Sequence, residues 1–321
     1  MDTTFLSEKV NGSCELHYGT VAEHVQAIVS FCYGLVTICL YFYLIKVICS
    51  RKSFQHPFFY QFILLAISNI ILWVTIYISQ RIIPNPVFCP LFFPEYSQRS
   101  LVLKPLILGY YIPLACQFIT IIVITINRMT VVLYPFTAPK FWNSYKFHVP
   151  VLILSAAFLI SFYLYDWGAS VIFGITGRLL VSYSDGWPHI PFVLMSSLMS
   201  VICFLTVLIT TTVSIVALSK TNGLNTKAAE INLFWTSFGF SLTTLAVVFY
   251  SILVFTAHYI FQNPAMTKVG AVLKGWLYDV NCLLPAWVLI ATNNQIRQSI
   301  WPGKDSSRQG SAFLTQRSRS R

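Results

Sequence analysis

Charge is scarce in this chain: Asp, Glu, Lys and Arg together make up 10% of its 321 residues. A soluble domain carries roughly 25%. So little charge cannot dress a water-facing surface, and a soluble globular protein is excluded as the reading of the whole chain. Metal-binding patterns are lacking too. No Cys-x-x-Cys pair occurs and the six histidines are scattered, so neither a metal nor another cofactor is indicated. Most of the eight cysteines (Cys32, Cys39, Cys116, Cys203, Cys282 among them) lie inside apolar blocks, where a thiol behaves as a small hydrophobe. No internal repeat is visible, which disfavours a transporter built from inverted repeats.

What is present is apolar residues, 56% of the chain, gathered in seven blocks. They run over roughly Gln26–Ile48, Phe58–Gln80, Pro105–Asn127, Val149–Phe173, Pro191–Leu218, Ile231–Ala257 and Gly270–Thr292. Each is long enough to cross about 30 Å of hydrocarbon as a helix. The expected fold is an all-α membrane protein, a seven-transmembrane helix bundle. An N-terminal segment (1–25) precedes the bundle domain (26–301), which ends in a short amphipathic helix. A basic, Ser-rich, disordered tail (302–321) follows. Residues 1–25 lack an apolar signal-peptide core, so the first helix is expected to serve as the insertion signal.

Lys and Arg fix the expected orientation. With the N-terminus outside, the inner segments hold Lys46, Arg51, Lys52, Arg128, Lys140, Lys146, Lys220, Lys227, Arg297, Lys304 and the tail arginines, against Glu230 and Asp305 alone. The inner side then carries +12 and the outer side −1, which together make the net charge of +11. This is the positive-inside bias, with a tail suited to anionic membrane lipid, and it does not indicate nucleic acid. Trp142, Trp187 and Trp301 fall where helices meet loops, as interfacial anchors do. Asn11-Gly12-Ser13 is a glycosylation sequon on the expected outer side.

The third block ends Ile126-Asn127-Arg128-Met129-Thr130-Val131-Val132-Leu133-Tyr134-Pro135. An arginine there either snorkels to the interface or belongs to a signalling motif. The stretch resembles the Asp-Arg-Tyr element of rhodopsin-like receptors, with Asn127 in place of the acid. A neutral hydrogen bond from Asn127 is then expected where those receptors have an ion pair, and neutral bonds are the weaker. Leu65-Ala66-Ile67-Ser68-Asn69 resembles their Leu-Ala-x-x-Asp element, again with Asn where the sodium-binding acid stands. Asn281-Cys282-Leu283-Leu284-Pro285 resembles a weakened Asn-Pro-x-x-Tyr element; its proline frees a backbone carbonyl and makes a bend point.

Taken together, Asn127-Arg128-Met129…Val132-Leu133-Tyr134-Pro135 with Trp142, Cys89-Pro90…Pro94…Lys104, and Asp279 followed by Leu284-Pro285-Ala286-Trp287 resemble the nematode serpentine chemoreceptors of class gamma, with class V a close alternative. The likeness extends over nearly the whole chain. It implies a G-protein-coupled chemosensory receptor, multi-pass in the plasma membrane of sensory-neuron cilia, with an extracellular small molecule or pheromone and a heterotrimeric G protein as partners and a dimer as an option. The inner contacts are expected at Asn127, Arg128, Tyr134, Lys140, Lys146, Lys220, Lys227 and Arg297. The chain departs from rhodopsin-like receptors in lacking a Cys-Trp-x-Pro hinge and their outer disulfide. Cys14 and Cys89, the only cysteines on the expected outer side, are expected to pair instead.

Ionisable groups within the bilayer are expensive, and only Asp166, Lys274 and Asp279 qualify. Lys274 and Tyr278 share a helical face that Asn281 and Pro285 extend, with Asp279 beside it. Lys274 alternatively snorkels outward, and Asp166 is alternatively hydrated at the interface. Asp279 needs a partner, and a ligand cavity supplies one. Ligand contact is therefore expected at Asp279, Tyr278, Lys274 and Gln117, the last lying about three turns outward of Arg128. No enzyme is expected, since no Ser/His pair or His/Glu cluster stands at depth. The main alternative is a ligand-gated channel or transporter, and the channel type with seven helices runs N-inside, against the charge bias.

Overall fold

The computed structural model describes residues 21–51, 54, 56–82, 103–146, 148–165, 169–173, 179–183, 189–220, 264–300 and parts of 235–256. Helices dominate. In chain order they are α1 (Val21–Ser50), α2 (Pro57–Tyr77), α3 (Leu103–Leu133), α4 (Ala138–Ser144), α5 (His148–Tyr165), α6 (His189–Lys220), the apolar stretch α7 (Phe238–Tyr250), α8 (Pro264–Thr292) and α9 (Asn294–Ile300). Among the described residues, four helices, in α1, α2, α3 and α6, are long and apolar enough to cross a membrane. Their spans of 20 to 26 residues reach about 30 Å or more at 1.5 Å per residue.

One expected span needs correcting. The block Val149–Phe173 is not helical throughout: α5 stops at Tyr165, and Ala169–Phe173 forms strand β1, antiparallel to β2 (Leu179–Tyr183) with Val171 opposite Val181. Val171, Ile172 and Phe173 favour strands, and Gly174 and Gly177 between the strands favour a reversal. Apolar content alone does not separate a helix end from a buried strand.

Burial ranks the helices. α2 and α3 sit at the centre, while α1 and α6 turn most of their length outward. Val25, Ile28, Leu35 and Phe42 of α1, and Leu198, Leu205 and Ile209 of α6, are exposed apolar side chains. Such faces suit hydrocarbon surroundings. Within the bundle, Tyr41, Phe58, Phe62, Leu65, Leu72, Phe118, Ile121, Phe240, Cys282 and Ala286 form one continuous core. Phe62 and Phe240 stack at 6.1 Å between ring centres, joining α2 to α7.

Local chemistry fixes the ends of α2. His56, extended at φ −95 and ψ 143, accepts from Phe58 N–H through Nδ1 at 3.4 Å, and Pro57 opens the helix. At the far end a π-helical turn, Ile78–Ile82, continues the chain, and Arg81 lies within it. Close approach to α1 depends on a missing side chain. A Cβ at Gly34 would stand 2.1 Å from Cζ2 of Trp73, so the indole packs close against α1 where only glycine leaves room, as small residues permit in membrane bundles.

Gly34→Ala is expected to push Trp73 out of this seat and destabilise the protein by about 1–3 kcal/mol, the usual range for overpacking. A thermal midpoint in detergent equal to that of the unsubstituted protein would contradict the packing described.

Candidate functional site

Among the described residues, two clusters that hold charged groups interrupt the apolar core, one at each end of α2. The first gathers on Asp279 of α8, which is 1% exposed. Its carboxylate accepts from Arg81 through Nη2 at 2.6 Å and Nη1 at 3.3 Å, from the Trp73 indole N–H at 2.9 Å, and from Ser30 Oγ at 2.8 Å. Arg81 is itself only 8% exposed. Its guanidinium lies 5.4 Å from the Tyr77 ring centre, and a Cβ at Gly275 would come within 3.1 Å of its Nη2. Three helices, α1, α2 and α8, thus meet on one carboxylate whose two oxygens accept four bonds. A buried charge is tolerable when it is paired and hydrogen-bonded in this way.

On another face, α8 meets α3. Tyr278 and Tyr110 share a hydroxyl–hydroxyl bond of 2.5 Å, and the Tyr250 ring of α7 stands edge-on to Tyr278 at 6.1 Å. Gln117 is fully buried. It accepts from Asn281 Nδ2 at 2.8 Å and donates through Nε2 to the Asn281 carbonyl at 3.3 Å. That carbonyl lies four residues before Pro285 inside the helix. Proline has no N–H to give it, so the glutamine of α3 serves the acceptor that the proline releases. Tyr41 completes the seam from α1, donating to the Cys282 carbonyl at 2.7 Å and accepting from Asn69 Nδ2 at 3.0 Å.

Of the four residues expected to contact ligand, the structure brings Tyr278 and Gln117 together on the α3–α8 seam. Asp279, although next in sequence to Tyr278, turns the other way, towards α1 and α2. Lys274 belongs to the backbone of α8, and its side chain lies outside the described residues.

The second cluster lies at the other end of α2. The Arg128 guanidinium stands 3.9 Å from the Phe58 ring centre, with the residue 8% exposed. A desolvated cation–π contact of this kind is worth about 2 kcal/mol. The interhelical bond of Asn127 runs from Nδ2 to Gln61 Oε1 of α2 at 3.3 Å. Trp142 is buried and donates to Thr130 Oγ1 at 2.8 Å, while that hydroxyl donates to the Asn127 carbonyl at 2.9 Å. The indole therefore fastens the short helix α4 to α3. Burial and the neighbouring Arg128 charge push the His56 imidazole down to about 4, so it is neutral near pH 7 and can accept the Phe58 N–H.

Around this end, Tyr134 and Lys140 are exposed, and Lys146 Nζ approaches the Tyr60 ring centre at 5.9 Å. Arg297 of α9 donates to the Ala291 carbonyl at 3.1 Å, and Arg51 bonds Ser299 at 2.9 Å, tying the end of α1 to α9. Asn293 caps α9 by accepting from Ile296 N–H. The Lys220 side chain and Lys227 lie outside the described residues, as do Asn11, Cys14, Cys89 and Asp166.

Sequence reasoning passed over Arg81, Trp73 and Ser30 as partners of Asp279, and Phe58 and Gln61 as neighbours of the motif. A signal existed for the first group. Trp73, Tyr77 and Arg81 recur every four residues and so share one face of a helix. For the second, Gln61 is a lone amide in an otherwise apolar run. Phe136, 86% exposed beside Tyr134, was also missed.

Apolar helices long enough to cross a membrane, with a buried ion pair towards one end and a buried arginine towards the other, define a polytopic helical membrane protein. The family described as Srg family chemoreceptor matches residues 27–300, and the chain belongs to that family. Serpentine receptor class gamma-5 of Caenorhabditis elegans is 23% identical to it over 325 residues, covering 96% of this chain and 95% of that one. The protein is thus a serpentine chemosensory receptor of class gamma kind.

Replacing Gln117 by Leu removes both bonds to Asn281 and is expected to cost about 0.6–2 kcal/mol, the range for polar contacts between membrane helices. Thermal unfolding of Gln117→Leu, Asn281→Leu and the double variant checks this; the double loss should fall short of the sum of the singles. His56 yields a pH dependence. It titrates at about 4 in the folded protein and near 6.5 in an unfolded chain, so the unfolded state takes up the proton first as pH falls. Stability from this site is complete above about 6.5 and is lost progressively down to about 4. The drop in thermal midpoint between about pH 7.5 and pH 5 should be smaller in His56→Asn, which keeps a cap acceptor that does not titrate.

Proposed function

We propose that this chain is a seven-span receptor with its N-terminus outside, which binds an extracellular small molecule in the outer half of the bundle and activates a heterotrimeric G protein inside. The observation that carries the reading is the end of α3. Arg128 is buried within the helix, while Tyr134, Phe136 and Lys140, a few residues on, are exposed. An arginine covered at rest beside an uncovered aromatic and basic face is what a partner-controlled contact requires. The charge bias of the sequence supports a cytoplasmic position for that face, and Lys146, Lys220, Lys227 and Arg297 are the further coupling residues proposed.

On the ligand side, Tyr278, Gln117 and Lys274 form the proposed contact wall. Asp279 sets the position of that wall through Arg81, so it acts on the ligand from behind. Movement of α8 against α3 about Pro285 is the proposed link between the two ends. Cys14 is proposed to pair with Cys89, and Asn11 to carry a glycan, on the outer side.

The test is coupling with known topology. Small tags on each terminus, read by antibody in intact and permeabilised cells, should place the N-terminus outside and the C-terminus inside. In the same cells Arg128→Ala and Phe136→Ala should each lower G-protein activation about tenfold or more at equal surface level, a loss of about 1.4 kcal/mol in the coupled state. A reversed topology, or full signalling by Arg128→Ala, would overturn the reading.

A further inference from the structure

Arg128 lies against an aromatic ring, and the inference drawn from this contact rests on the coupling role proposed above and deepens it. Asn127 carries no charge and spends its interhelical amide bond on Gln61 of α2. The guanidinium next to it lies over Phe58 of the same helix, 3.9 Å from the ring centre. Both residues of the motif are thereby held by one helix, α2.

The ring is a firm seat. Phe58 is fully buried in the first turn of α2, behind Pro57 and the His56 cap. It packs edge-on to Phe59 at 5.1 Å, and Phe59 packs edge-on to Phe54 at 4.9 Å. Neutral His56 adds no positive charge beside the guanidinium. Trp142 holds Thr130 and through it the Asn127 carbonyl, so the helix end is tied to α4 as well as to α2.

While Arg128 lies on this ring it is covered, and a cytoplasmic partner cannot use it. Contact with a G protein requires the guanidinium to leave the ring face, so the strength of the cation–π contact biases the equilibrium between covered and available arginine. We propose that Phe58 is the positioning residue that restrains Arg128 at rest, and that α2, in place of a carboxylate beside the arginine, sets the basal activity of this receptor.

The experiment is ligand-free nucleotide exchange in membranes from cells expressing the full chain, supplied with purified heterotrimers of each main α-subunit class and normalised to surface receptor. Phe58→Leu keeps apolar bulk and removes the π face. Its basal exchange is expected to rise about tenfold to thirtyfold above the unsubstituted protein, the upper figure being the full loss of a contact of about 2 kcal/mol. Phe58→Tyr, which restores a π face, should stay well below Phe58→Leu, a rescue that lost packing alone would not give. Adding Arg128→Ala to Phe58→Leu should return exchange to background. If the leucine variant fails to reach the surface, Phe58→Met carries the same expectation. Basal exchange in the Leu or Met variant no higher than in the unsubstituted protein overturns the restraint and leaves the coupling role standing. Raised exchange that persists with Arg128→Ala overturns the coupling role itself.

Discussion

The bundle depends above all on the buried pair between Arg81 and Asp279. Two ions out of water are costly, and an ion pair in a low-dielectric interior stabilises only when its remaining hydrogen-bonding capacity is met. Here Ser30 and Trp73 supply the other donors to the carboxylate, and the Tyr77 ring lies under the guanidinium. The pair therefore dictates more than its own contact. It requires a π-helical turn to carry Arg81, a glycine at 275 to leave room for it, and a glycine at 34 so that Trp73 can reach the carboxylate from against α1. Removing either ion leaves the other buried and unpaired, the costliest defect this core can suffer.

Below this clamp the α3–α8 seam is built on weaker terms. Pro285 opens the hydrogen-bond ladder of α8, and Gln117 of α3 satisfies the released carbonyl while exchanging a second bond with the Asn281 side chain. A neutral amide pair beside a helix-interior proline can be exchanged for other partners at modest cost, whereas the charged clamp cannot. The contrast assigns rigidity to the α1–α2–α8 contact and adjustability to α3 against α8, which is the division of labour a signalling helix bundle needs.

Much of this was legible in the sequence, for reasons that can be named. Runs of about 20 apolar residues announce membrane helices directly, and the order of short motifs around Arg128 and Pro285 pointed to the family. The discomfort of Asp279 was also legible, because a carboxylate in an apolar helix demands a partner wherever that helix packs. The identity of the partner was not. Arg81 lies 198 positions away along the chain, just beyond the apolar block Phe58–Gln80. Only the packing of α2 on α8 brings the two together, and it leaves Asp279 facing away from Tyr278. The strand at Ala169–Phe173 was missed for a related reason: its apolar residues extend a helical block without a break in composition. Arg128 was found by its motif, but its aromatic seat required knowing that the first turn of α2 lies against the end of α3.

The central claim is that Arg81 and Asp279 hold the helices as a pair. A double-mutant cycle on thermal stability in detergent, with Arg81→Met, Asp279→Leu and both together, tests it most directly. Each single change should cost about 3–5 kcal/mol by stranding a buried charge, and the double should be markedly milder than either. Single losses near zero, or a double variant whose loss equals their sum, would mean that the two groups act independently and that some other contact holds the bundle.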